Sequence, residues 1–164
     1  MLEKIVSGGQ TGTDRAALDI ALKFKIPYGG WCPKGRLDEL GTIPSKYSQL
    51  KEIEGEFLTD KDNYDMRTKE NIKDSNGTLI LIPSEPLPKN IKDGTLITIE
   101  HVKQEQKPFL IVNLSLPLNL QISLCHDWLK ENNIHILNIA GPRETSSPGI
   151  YEKSISFLEQ MINS

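Results

Sequence analysis

SGGQTGTDRAALDIAL, residues 7–22, carries a short apolar run through a glycine-rich turn into an alanine- and leucine-rich helical pattern. Ala16, Ala17, Ile20, Ala21 and Phe24 recur at helical spacing, so a helix is predicted over 13–24, with Thr13 or Asp14 available as its N-cap. Gly8, Gly9 and Gly12 leave a turn that side chains cannot crowd. The stretch therefore reads as strand, open loop and helix, and the rest of the chain repeats that unit.

Short β-branched runs closed by Gly, Pro or Asn recur at IVS (5–7), IPYGGW (26–31), TLILIP (78–83), FLIVNL (109–114) and ILNIA (136–140). Runs of that kind are strands buried on both faces. Between them, Leu118, Ile122, Cys125 and Leu129 form one helical stripe, and Tyr151, Ile155, Leu158 and Ile162 form another. Residues 63–74 and 95–105 read as helices of more polar character. Strand–helix alternation predicts an α/β fold, a three-layer Rossmann-like sandwich with a mainly parallel sheet of about five or more strands and right-handed crossovers. At 164 residues, one domain over 1–164 is expected.

With 37% apolar and 25% charged residues, the composition is that of a folded globular chain rather than a disordered one. No apolar run reaches the roughly 18–20 residues of a membrane span, and MLEKIVSGG lacks a basic start and a long apolar core. A cytoplasmic protein with no membrane partner is expected. The net charge of −3 and the scatter of the basic residues argue against a nucleic-acid partner. Cys32 and Cys125 read as reduced, inert thiols, and His101, His126 and His135 lack metal-ligand spacing, so no metal site is expected.

Ligands of parallel α/β sheets sit beyond the carboxyl ends of the strands. After the first strand comes GGQTGTD (8–14), where glycines allow close approach and a helix start points N–H groups and a positive dipole end at the same space. That chemistry suits a phosphate or another oxyanion. The loop fits neither GxxxxGK[ST] nor GxGxxG, which disfavours a nucleotide kinase and an ordinary NAD dehydrogenase.

GGWCPKGR (29–36) adds Lys34 and Arg36 as cations and Trp31 as a flat face, and the irregular 37–57 segment reads as a cover. Arg67 and Asn71 lie four apart, on one helical face. Gly94 and Thr95 repeat the Gly-Thr device in DGTLIT (93–98). IAGPRETSSPGIY (139–151) sets Gly141, Pro142, Arg143 and Glu144 before a helix, with Pro148 at a first-turn-like position. Three such loops converging point to an extended, phosphorylated ligand.

SGGQTGTDRAALD, GGWCPKGR with IPSKY downstream, MRT…N…DSNGTLI and NIAGPRE…PGIY, in this order through nearly the whole chain, resemble the putative molybdenum carrier family, also called molybdenum cofactor carrier proteins. The resemblance implies a Rossmann-like fold in the wider group that includes LOG-type phosphoribohydrolases and lysine-decarboxylase-like proteins. It implies a homo-oligomer, dimer or tetramer, whose cargo is the molybdenum cofactor (molybdopterin), with molybdate or phosphate as simpler ligands and molybdoenzymes as recipients. Carried onto matching positions, Gly8, Gly9, Gln10, Thr11, Gly12 and Thr13 form the first binding loop. Lys34, Arg36, Arg67, Gly94, Thr95, Arg143 and Glu144 are candidates for the remaining wall.

Three functional readings stand beside one another: a carrier without turnover, a nucleotide phosphoribohydrolase, and a nucleotide-binding sensor module. The hydrolase signature resembles PGGxGTxxE. Here Asn90–Thr98 reads NIKDGTLIT, which puts Thr98 where that Glu would stand, and Glu100 lies about 200° further around a helix. No catalytic residue is assigned. A binding loop without a catalytic acid suits a carrier and a sensor alike.

Overall fold

The run GTLILI at Gly77–Ile82 is buried at all six positions, as a strand with a layer on each face must be. It belongs to a computed structural model that describes residues 1–57, 59–89, 91 and 94–164. In chain order the elements are β1 (Lys4–Val6), α1 (Thr13–Phe24), β2 (Tyr28–Gly29), β3 (Trp31–Cys32), β4 (Leu37–Asp38), β5 (Gly41–Thr42) and β6 (Lys51–Glu52). They continue with α2 (Asp60–Lys73), β7 (Gly77–Ile82), α3 (Gly94–Gln104), β8 (Phe109–Asn113), α4 (Leu118–Glu131), β9 (Ile136–Ala140) and α5 (Ile150–Asn163).

The central sheet has five strands in the order β2-β1-β9-β7-β8, and every pair in it is parallel. Alternation along the strands divides the two outer layers. Leu79, Leu81, Leu137 and Ile139 pack with Ala16, Ala17, Ile20, Ile122, Phe157 and Leu158, so α1, α4 and α5 cover one face. Ile80 and Ile82 pack with Ile72 and Val102, so α2 and α3 cover the other. This is the expected α/β three-layer sandwich with a parallel sheet.

The strand expected at 26–31 divides at Gly30, whose φ is +126°. A Cβ there would stand 2.4 Å from the Ser7 carbonyl oxygen, so the chain turns tightly against the end of β1. Beyond the turn, β3 leaves the main sheet and pairs with β6. The 37–57 segment, expected to be irregular, contains the antiparallel β4–β5 pair and a small core of its own. Ile43, Tyr47 and Leu50 are buried there against Leu18 and Cys32.

Both helix starts nearest the glycine loops differ in detail from expectation. The N-cap of α1 is Gly12 rather than Thr13 or Asp14, and no side chain caps it. Pro148 lies outside α5, whose N-cap is Gly149. The Glu144 carboxylate accepts from Gly149 N at 2.6 Å and Tyr151 N at 3.0 Å, satisfying N–H groups at that helix start. Among the described residues no helix is long and apolar enough to cross a membrane, and no cluster of His, Cys, Asp or Glu is placed to hold a metal ion.

Candidate functional site

Helix α2 presents polar residues, not an apolar stripe, to the rest of the protein. Asn63, Arg67 and Asn71, spaced four apart, are all buried. Asn71 Oδ1 accepts from Trp31 N at 2.7 Å while its Nδ2 donates to Trp31 O at 2.8 Å. Asn63 makes the same pair with Lys34, at 2.7 and 2.9 Å. The two amides thus pair with the backbone as a neighbouring strand would, and they fix α2 along the segment from Trp31 to Lys34. Arg67, between them, reaches the end of β1, where its Nη1 donates to Gly8 O at 3.0 Å and to Asp14 Oδ2 at 3.3 Å.

Because that inner face is polar and short of bulk, the sheet beneath it is not filled. On β9 the residues pointing this way are Asn138 and the small Ala140, followed by Gly141. A cavity of about 300 Å³ results, lined by Gly8, Gln10 and Asp14 from the first loop, by Lys61, Tyr64, Asp65, Arg67, Thr68 and Asn71 from α2, by Gly94, Ile97 and Thr98 from α3, and by 138–141 and Arg143. It lies at the carboxyl ends of β1 and β9, where a parallel sheet is expected to bind its ligand.

Three cations and two carboxylates line it. Lys61 pairs with Asp65 at 2.6 Å near the surface, and Arg67 with Asp14 in the interior. Arg67 Nε donates to Tyr64 O at 3.4 Å, which leaves Nη2 as its one guanidinium nitrogen without a partner among the described residues, on a side chain only 8% exposed. Burial raises the Tyr64 phenol above its ordinary pKa, so it is a neutral donor at physiological pH.

Of the first loop, Gly8 and Gln10 line the cavity, while Gly9, Thr11, Gly12 and Thr13 do not. Its N–H groups, expected to face an anion, donate largely to protein acceptors: Gly9 N to Ser7 Oγ, Gln10 N to Asp14 Oδ2, Thr11 N to Gln10 Oε1, and Thr13 N to Pro142 O. The approach that Gly12 permits is one of protein backbone. With φ +77°, a Cβ there would lie 2.3 Å from Pro142 O.

Glu39, in the turn between β4 and β5, ties this loop to the one after β9. Its carboxylate accepts from the Thr11 and Thr145 hydroxyls and from Thr145 N, and it stands 3.5 Å from Arg143 Nε. Glu39 N donates in turn to Gln10 Oε1 at 2.9 Å. No residue of 37–57 lines the cavity, so the expected cover is a clip beside the site.

The remaining candidates separate. Arg67, Gly94 and Arg143 converge on the cavity. Thr95 is buried outside its lining. Lys34 Nζ donates to Gly55 O and Arg36 to Pro44 O and Tyr47 O, so both hold the 37–57 segment. Glu144 caps α5, and Trp31 bonds through Nε1 to Asp74, away from the lining. Asn90, Lys92 and Asp93 of the NIKDGTLIT stretch lie outside the described residues, as does Leu58. Thr98 does face the cavity, with its hydroxyl donating to Gly94 O.

Tyr64, Lys61 and Asn138 were not among the sequence candidates. For Asn138 a signal existed: it is the one polar residue in the buried run ILNIA.

Residues 5–162 match the model of the circularly permutated YpsA SLOG family. No curated protein matches the chain. Among solved structures, the chain is similar to a 1.45 Å crystal structure described as a "putative molybdenum carrier protein" from Syntrophus aciditrophicus SB. The two share 42% identity over 98% of this chain and 95% of that one, with a TM-score of 0.87. The resemblance to molybdenum carriers and the parallel α/β architecture thus agree, and the chain belongs to the circularly permutated YpsA SLOG family.

Proposed function

We propose that this protein is a carrier that binds a pterin phosphate of the molybdenum cofactor class, cargo rather than substrate, in the cavity between β9, α2 and α3. The observation that carries this reading is Arg67 Nη2, a cationic donor without a partner among the described residues, on a side chain only 8% exposed that lines the cavity. A guanidinium nitrogen so placed is satisfied by an oxyanion, and phosphate and molybdate oxygens both qualify. Arg143 and Lys61, more exposed, add positive charge toward solvent. A volume of about 300 Å³ is at the lower end of the range for small-molecule sites, so a cargo of this class would extend past the rim.

Thr98, at the position where the hydrolase signature has its Glu, supports binding without turnover. The relative from Syntrophus aciditrophicus supports the carrier reading by its description. Leu120 and Leu124, exposed four residues apart on α4, with exposed Leu116 just before that helix, suit a homo-oligomer. In this reading the protein is cytoplasmic and delivers its cargo to molybdoenzymes.

The test is anaerobic equilibrium binding of molybdenum cofactor, AMP and molybdate, with analysis for released adenine. Tight cofactor binding without adenine release is expected. AMP preference with adenine and ribose phosphate appearing would overturn the carrier in favour of the hydrolase.

A further inference from the structure

Asn138 is 3% exposed and stands in the middle of β9, directly opposite Thr78 of β7. Its Nδ2 donates to Thr78 Oγ1 at 3.2 Å, and its Oδ1 has no partner among the described residues. Other buried polar groups around it are engaged within the protein. The Asn71 amide holds Trp31 at both ends, the Thr68 hydroxyl donates to Tyr64 O, and the Thr98 hydroxyl donates to Gly94 O. Asn138 therefore brings to the floor of the cavity an amide with one end unused, in a sheet position where an apolar residue would be the stable choice.

We propose that Asn138 and Tyr64 make this cavity a reader of planar nitrogen heterocycles that carry an amino or ring N–H group, the class that contains pterins and aminopurines. The inference rests on the oxyanion-binding reading above and adds which part of the ligand goes inward. The heterocycle edge donates to Asn138 Oδ1 on the floor, and its face lies against the Tyr64 ring on the α2 wall. The anionic tail then runs past Arg67 Nη2, which it satisfies, and outward toward Arg143, 39% exposed, and Lys61, 70% exposed. Recognition by a buried amide discriminates strongly, because a ligand without the matching donor leaves the amide unpaired.

The test titrates the full-length protein with AMP, pterin-6-carboxylate, ribose 5-phosphate and inorganic phosphate, by calorimetry or pterin fluorescence. The wild type is expected to bind at least one ring-bearing probe about tenfold or more tighter than ribose 5-phosphate. Asn138→Leu should lose that preference while its affinity for ribose 5-phosphate is unchanged, and Tyr64→Leu, altering a partly exposed side chain, should weaken ring-bearing probes alone. If circular dichroism shows Asn138→Leu unfolded, Asn138→Ala takes its place. Equal affinity of the wild type for ringed and ringless probes, or a ring preference that survives both substitutions, overturns the inference and leaves the oxyanion reading standing. Failure of all four probes to bind overturns that reading, and the inference with it.

Discussion

Arg67 Nη1 lies 3.0 Å from the carbonyl oxygen of Gly8, and a Cβ on Gly8 would come within 2.3 Å of the same nitrogen. The first glycine of the loop is thus shaped around an arginine 59 residues away in sequence. Gly8→Ala should push the guanidinium from its seat, lowering affinity for anionic ligands about tenfold and stability by about 1–3 kcal/mol. Arg67→Met removes the donor to Gly8 O and Asp14 Oδ2, at a cost of about 1–3 kcal/mol. Calorimetric titration with urea unfolding checks both, and unchanged affinity in Gly8→Ala would remove Arg67 from the site.

Gly12 and Gly94 should respond in opposite ways. Gly12→Val meets the backbone of residues 142–144 at positive φ, and we expect a loss of more than about 3 kcal/mol, read as a lower urea midpoint. At Gly94, which opens α3 and lines the cavity, a Cβ would meet nothing within 4 Å among the described residues. Gly94→Ala is therefore expected to add about 0.4–1 kcal/mol of stability while weakening the ligand that shares its space.

Glu39 joins two loops that are far apart in sequence. Glu39→Ala removes the acceptor of the Thr11 and Thr145 hydroxyls. The expected cost is about 1–3 kcal/mol, with faster amide exchange at 143–147 than at the β7–β9 ladder. Equal protection in the variant and the wild type would show that the loops hold without the clip.

Asp19 accepts from Tyr47 OH through Oδ1 and from Tyr151 OH through Oδ2, each at 2.6 Å, binding the 37–57 segment and α5 to α1. Burial, then the bond to Asp19, raises both phenols above their ordinary value of 10.0. The folded chain keeps protons that the unfolded chain releases above about pH 10. The stability from this network is complete below that pH and is lost as pH rises beyond it. Urea unfolding between about pH 8.5 and 11 should show the decline, and the Tyr47→Phe/Tyr151→Phe double variant should flatten it.

Much of the architecture was legible in particular residues. ILNIA, FLIVNL and TLILIP are β9, β8 and β7 within a residue, and the stripe from Ala16 to Phe24 is α1. Helix α2 was harder to read, because apart from Ile72 its inner face is polar, with Asn63, Arg67 and Asn71 bonding to the backbone of other segments. The 37–57 segment misled for a related reason. Ile43, Tyr47 and Leu50 belong to no helix and to no strand of the main sheet, yet Leu18 and Cys32 give them a core.

The sequence by itself determined the parallel α/β sandwich and the end of the sheet that carries the loops, since both follow from local period and from glycine placement. Which glycines, cations and amides share one cavity was decided only by tertiary structure. Gly12 meets Pro142, Gly8 meets Arg67, and Asn138 faces α2 and α3 through strand parity and the β7–β9 register. These are contacts between segments far apart in the chain, and no local pattern encodes the distance between them.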